Sequence, residues 1–245
     1  MLWQILFGFG LLALSALLYF THFLIFHDAH HIFLYLIGDI AFIPIEVLLV
    51  TVIIHQLLEN REKKSKFEKL NMIIGTFFSE VGTSLLTVLS DYDPELAKIK
   101  QELVVQGDWT DKQFKQLQKD LKKHHYHVEA KKIDLLALKQ LLLPKRDFLI
   151  RLLENQNVLE HETFTNLLWA TFHLADELSS RKDLKKVSEP DLAHLALDLK
   201  RIYLNLAWQW AAYMKHLKTA YPYLFSLAMR TNPFDETAQA EVRSS

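Results

Sequence analysis

Two carboxylates stand where carboxylates are costly. Asp39 and Glu46 lie inside Ile32–Ile54, an apolar run of 23 residues. Each would cost about 2.5–3.5 kcal/mol on membrane-insertion scales if it faced lipid. Seven residues is two helical turns, so the two acids share one helix face. That face also carries His31, Tyr35, Phe42, Val50 and Ile53. Such acids can be hidden against polar groups of neighbouring helices through self-association. Alternatively, a ring of them can line a cation or proton path, with Tyr35, Asp39 and Glu46 as its residues. Gly38 and Pro44 in the same run permit close helix approach and a kink.

Further candidates flank this run. His27, Asp28, His30 and His31 separate it from an earlier apolar run, and His22 lies about one turn before them. Imidazoles with a carboxylate suit Zn²⁺, Ni²⁺ or Cu²⁺. Imidazole is also the side chain that changes charge near neutral pH, so the turn could serve as a pH sensor, and histidine is equally tolerated at a membrane–water interface. Lys112, Lys115, Lys119, Lys122 and Lys123 lead into His124, His125 and His127. Those lysines read as a solvated helix face or as a contact for anionic lipid headgroups. Acids interspersed among the bases argue against nucleic acid as a partner.

No catalytic role follows for any residue. A Gly-rich phosphate loop, a Gly-x-Ser-x-Gly elbow and a His-Glu-x-x-His pair are all missing. No histidine has a glutamate three residues before it, as a di-iron carboxylate bundle requires. His173 with Asp176 and Glu177, and His194 with Asp198 and Arg201, read as two separate helix-surface or buried polar pairs. No cofactor is required; a divalent metal at the His-rich turn is the one candidate. The chain has no cysteine, which excludes disulfides and thiolate ligands.

The elements that must position these residues follow from apolar spacing and charge. Leu2–Phe26 is an almost unbroken apolar run of 25 residues. As a helix it would cross a hydrocarbon core of about 30 Å. It lacks a basic leader and is too long for a signal peptide's apolar core of about 7–15 residues. Residues 1–58 hold no Lys or Arg, whereas all 28 of them lie in 59–245 with 26 of the 29 acids. Five basic residues fall between Glu59 and Lys69. Basic flanks stay in the cytoplasm, which sets both termini there and the His-rich turn outside.

Beyond the hairpin, apolar residues recur at helical spacing. Lys66–Leu89 carries Leu70, Ile73, Ile74, Phe77, Phe78, Val81 and Leu85 on one side. Further helices are expected from Pro94 to about Gln106 after an Asp93 cap, from Thr110 to Lys123, from Glu129 to Leu143, and from Asp147 to Arg181 with a break near Asn155–Asn157. The last begins at Ser188, with Asp191 completing a capping box. Its core stripe is Leu192, Leu195, Leu199, Ile202, Leu206, Trp210, Tyr213 and Leu217, and Pro222 kinks or restarts it. Tyr221–Met229, apolar nearly all round, reads as core, subunit interface or a contact with the inner membrane surface.

The expected fold class is therefore all-α. An N-terminal two-helix transmembrane hairpin over 1–58 (helices about 2–26 and 32–56) precedes a cytoplasmic helical bundle over 59–234 and a disordered tail over 235–245. The expected function is that of a homo-oligomeric, multi-pass protein of the cell membrane that conducts cations or protons. The alternative is a membrane-anchored interaction or signalling protein without transport.

Overall fold

A computed structural model describes residues 2–96 and 99–242, with backbone alone for Leu2 and Gln101. The described residues form helices and connecting turns, with no strand among them. The chain divides into two units, 1–64 and 65–245.

In the first unit, α1 (Leu2–Phe26) is followed by two residues and then by α2 (Ala29–Phe77), which continues into the second unit. The link is made by its own chemistry. His27 takes the left-handed conformation at φ 53° and donates its backbone N–H to the Phe23 carbonyl at 2.9 Å, closing α1. The Asp28 carboxylate accepts the His31 backbone N–H at 3.1 Å, opening α2. Both helices are long and apolar enough to cross a membrane, and their apolar side chains from Trp3 to Leu58 are largely exposed.

The second unit holds the core. The last turns of α2 bury Leu70, Ile74 and Phe77. A π-helical turn, Phe78–Gly82, leads into α3 (Thr83–Asp91). The wide turn lets Phe77 and Phe78 both point inward, against Phe164 and Tyr213 respectively. Gly82 makes room for them, since a Cβ there would stand 2.8 Å from the Phe78 ring and 2.9 Å from that of Phe77. The helix expected from Pro94 is instead a series of turns among the described residues, with 3-10 geometry at Leu96 and over Lys100–Leu103. Asp93 accepts the Glu95 backbone N–H there, and Leu96, Leu103 and Val105 are buried.

After α4 (Asp111–Lys123), which opens on a Thr110–Gln113 capping box, residues 130–132 form a turn and 133 a bend. Helix α5 (Leu135–Leu142) starts late because Asp134 caps it, accepting from Leu136 and Ala137. The long helix expected over 147–181 is three: α6 (Arg146–Leu153), α7 (Gln156–Leu159) and α8 (Glu162–Ser180). Asn155 and His161 cap the second and third of them. Helix α9 (Glu189–Ala220) buries Leu195, Leu199, Ile202, Leu206, Trp210 and Leu217 against α4 and α8, and α10 (Pro222–Arg230) follows Tyr221. Along 221–229, Phe225 is buried while Tyr223, Leu224 and Leu227 remain exposed. Phe234 closes the core edge-on to Trp210 at 4.9 Å. The expected tail falls partly outside the described residues. Within it, Glu236 pairs with Lys100, and the Ala240 carbonyl accepts from Arg230.

Candidate functional site

Residues singled out from the sequence fall into three places. In the hairpin, Ser15, Leu18, Tyr19 and His22 of α1 meet His31, Ile32, Tyr35 and Asp39 of α2 around a cleft of about 520 Å³. The His22 and His31 rings stack at 5.8 Å and 7°, and His31 lies 4.6 Å from the Tyr35 ring. His22 Nδ1 is buried without a hydrogen-bond partner. Glu46 is exposed and outside the lining, as are His27, Asp28 and His30, two of which build the turn itself. Thus Tyr35 and Asp39 share a cleft, its lining more apolar than polar, with two of the four histidines.

The lysines lie on α4. Phe114, Leu117 and Leu121 face the core, and Lys112, Lys115, Lys119, Lys122 and Lys123 are exposed. The three histidines that follow separate: His125 and His127 are exposed, whereas His124 Nε2 meets the fully buried Asp93 carboxylate at 2.8 Å. Tyr126 and Tyr203 pack edge-on beside this pair at 4.7 Å. Burial, with the Asp93 charge nearby, pushes both phenols well above their ordinary range.

The third place joins two polar pairs that the sequence presents as separate. His173 and Glu177 lie one turn apart on α8, and His194 and Asp198 one turn apart on α9. The short 181–188 connection returns the chain antiparallel, so 173 comes opposite 198 and 177 opposite 194. Asp198 is buried, and its Oδ1 accepts from Arg201 at 2.9 Å. Its Oδ2 has no hydrogen-bond partner and faces both imidazoles, 3.4 Å from His173 Nε2 and 3.4 Å from His194 Nε2. Glu177 stands 3.8 Å from His173 and 3.7 Å from His194. Among the described residues, His173, His194 and Asp198 are where three His or carboxylate ligand atoms converge, within 4.8 Å of one another.

Arg181 braces this cluster. It donates to Glu177 at 2.6 Å and to both oxygens of Asp191. Asp191 is thereby held in a cross-helix ion pair, and Ser188 caps α9 without a side-chain bond, so the expected capping box does not form. The Arg181 hydrogen bond holds Glu177 below the usual carboxylate range against the opposing effect of burial, and Asp191 likewise. The signal present in the sequence was the repeated spacing His-x-x-x-acid at 173–177 and 194–198. Spacing alone does not tell which two helix faces meet.

Fold and sites together define a two-unit, all-helical protein whose polar groups gather in a hairpin cleft and at the α8–α9 seam. The same two-part organisation is found in known proteins. A family model described as the C-terminal helical domain of uncharacterized protein MJ1433 matches residues 66–230, and one for the MJ1433 N-terminal helical domain matches residues 2–58. Uncharacterized protein MJ1433 of Methanocaldococcus jannaschii is 47% identical over 225 residues, covering 92% of this chain and 90% of its own. The chain belongs to the MJ1433 family. No solved structure matches it.

Proposed function

We propose that this is an integral membrane protein whose hairpin spans the bilayer of the cell membrane with both ends in the cytoplasm, and which assembles with copies of itself. In the assembly the α2 face bearing Tyr35, Asp39 and Glu46 lines a path for cations or protons, and the helical domain lies on the cytoplasmic side. The observation that carries this reading is the cleft: within two otherwise apolar, exposed helices, Asp39 sits with His22, His31, Tyr35, Tyr19 and Ser15. An anchor needs only apolar length, whereas a carboxylate among hydroxyls and imidazoles suits an ion or a proton relay. The membrane itself is argued from the apolar side chains that both helices leave uncovered, far more than a water-soluble surface carries. Self-association would shield Glu46, which the hairpin leaves exposed. The anchor reading keeps one point in its favour, because Glu46 does not reach the cleft.

The test is cation and proton flux into liposomes holding wild type, Asp39→Asn or Glu46→Gln, with oligomeric state followed by light scattering in mild detergent. The substitutions keep size and hydrogen-bonding capacity while removing charge. The expected result is an oligomer in all three, flux in wild type, and reduced flux or selectivity in the variants. A monomer in every detergent, or wild type without flux under any ion, pH or voltage, overturns the path and leaves the anchor.

A further inference from the structure

We propose that His173, His194 and Asp198, with Glu177 as fourth donor, form a binding site for a divalent borderline metal ion, Zn²⁺ fitting best, that clips α8 to α9. Zinc bonds of about 2.0–2.2 Å to nitrogen and oxygen place the corners of a tetrahedron roughly 3.3–3.5 Å apart. Asp198 Oδ2 stands 3.4 Å from each imidazole Nε2, and the three ligand atoms lie within 4.8 Å of one another; Glu177 brings Oε1 to 3.8 Å from His173 and Oε2, the oxygen Arg181 holds, to 3.7 Å from His194.

Asp198 Oδ2 is buried, on a side chain 4% exposed, and accepts no hydrogen bond. A buried carboxylate oxygen with nothing bound to it costs free energy. Were the imidazoles there to donate to it, one would close to ordinary hydrogen-bond length, as His124 does on Asp93 at 2.8 Å in this same protein. Neither imidazole does so: both stand at 3.4 Å, with the carboxylate oxygen between them.

The surroundings fit as well. Each carboxylate gives one oxygen to an arginine, Asp198 to Arg201 and Glu177 to Arg181, which fixes its orientation as outer partners of metal ligands do. Counting Asp191, paired to Arg181, three acids face two arginines, so the cluster retains one negative charge for a cation. Access exists too: His173 and Arg201 also line a cleft of about 380 Å³ with Asn166, Trp169, Ala170 and Asn205, and both imidazoles are half exposed. This donor set is nitrogen and carboxylate without thiolate, which suits Zn²⁺ and the other borderline divalent ions Co²⁺, Ni²⁺ and Cu²⁺ rather than Mg²⁺ or Ca²⁺.

The experiment uses the full chain in mild detergent, stripped with chelator and titrated with ZnCl₂ by calorimetry, with Co²⁺ as a spectroscopic probe. Wild type is expected to bind one Zn²⁺ per chain, and Co²⁺ to give the visible d–d absorption of a four-coordinate nitrogen–oxygen site. The changes His173→Ala, His194→Ala and Asp198→Asn should each weaken Zn²⁺ binding at least tenfold, and the double variant His173→Ala/His194→Ala should abolish the Co²⁺ band. Both imidazoles are half exposed, so these variants should keep the wild-type helical circular dichroism. The double variant His27→Ala/His30→Ala, in the hairpin turn, should bind as wild type does. Absence of stoichiometric Zn²⁺ binding to wild type overturns the site, as does unchanged binding in His173→Ala/His194→Ala. Loss of the metal with the hairpin-turn variant alone would move it to the turn and equally overturn the proposal.

Discussion

His124, His125 and His127 lie within four residues, and replacing each by alanine should have very different consequences. Asp93 has no exposed side-chain surface, and its charge is met by His124 Nε2 at 2.8 Å and by the Glu95 backbone N–H at 3.0 Å. His124→Ala takes the imidazole partner away from that buried carboxylate and removes the ring that packs 4.8 Å from Tyr126. Breaking one side of a buried ion pair costs about 3–5 kcal/mol. For a domain the size of 65–245, each kcal/mol lowers Tm by about 2–4 °C, so the expected fall is roughly 6–20 °C. His125→Ala and His127→Ala act on exposed side chains and should stay within about 0.5 kcal/mol of wild type. Adding Asp93→Asn to His124→Ala removes the stranded charge and should recover part of the loss. Four of the five tryptophans, Trp109, Trp169, Trp208 and Trp210, lie in this unit, so thermal unfolding followed by tryptophan fluorescence reads it directly. If His124→Ala costs no more than His125→Ala, or if the double variant is worse than the single, the buried pair is not what holds this corner of the core.

Gly82→Ala places a methyl group against the Phe77 and Phe78 rings, both of them buried, and should cost about 1–3 kcal/mol in chemical denaturation, whereas Gly107→Ala, whose Cβ would meet nothing closer than 3.9 Å, should cost less. His216 is held below its ordinary value of 6.5 by burial, opposed by the Glu68 charge, so the unfolded chain takes up its proton first; stability present above pH 6.5 is lost as pH falls through the lowered folded value. Stability measured against pH should therefore decline less steeply below 6.5 in His216→Gln, and identical slopes would refute the assignment. With no native cysteine, Ala29→Cys should react with an impermeant thiol reagent in intact cells and Ser65→Cys should not; reversed labelling would overturn the orientation drawn from the basic flank.

Much of the helical layout was legible from spacing. The stripes Leu70, Ile74, Phe77 and Leu195, Leu199, Ile202, Leu206 are buried because residues three and four apart fall on one side of a helix whatever it packs against. The two long apolar runs and the Thr110 start of α4 were equally local, as was the restart at Pro222. Breaks inside long helices were less legible, because they depend on which side chains the core admits. The π-helical turn exists so that Phe77 and Phe78 can both be buried beside a glycine, and the turns after Asp93 hold Leu96, Leu103 and Val105 inward where helix propensity alone would have continued.

Chemistry divides along the same line. The sequence by itself determined that Asp39 and Glu46 share a face within an apolar run, and that His173 and His194 each precede a carboxylate by one turn. It could not say that Asp39 would find His22 and His31 across the hairpin while Glu46 would not, nor that His124 would be buried and His125 exposed. Only tertiary structure decided that the two His-x-x-x-acid pairs meet. A helix puts residues i and i+4 on one face for purely local reasons. Which face opposes it, and in what register, depends on the length and direction of the 181–188 connection and on the core contacts that lock α8 to α9.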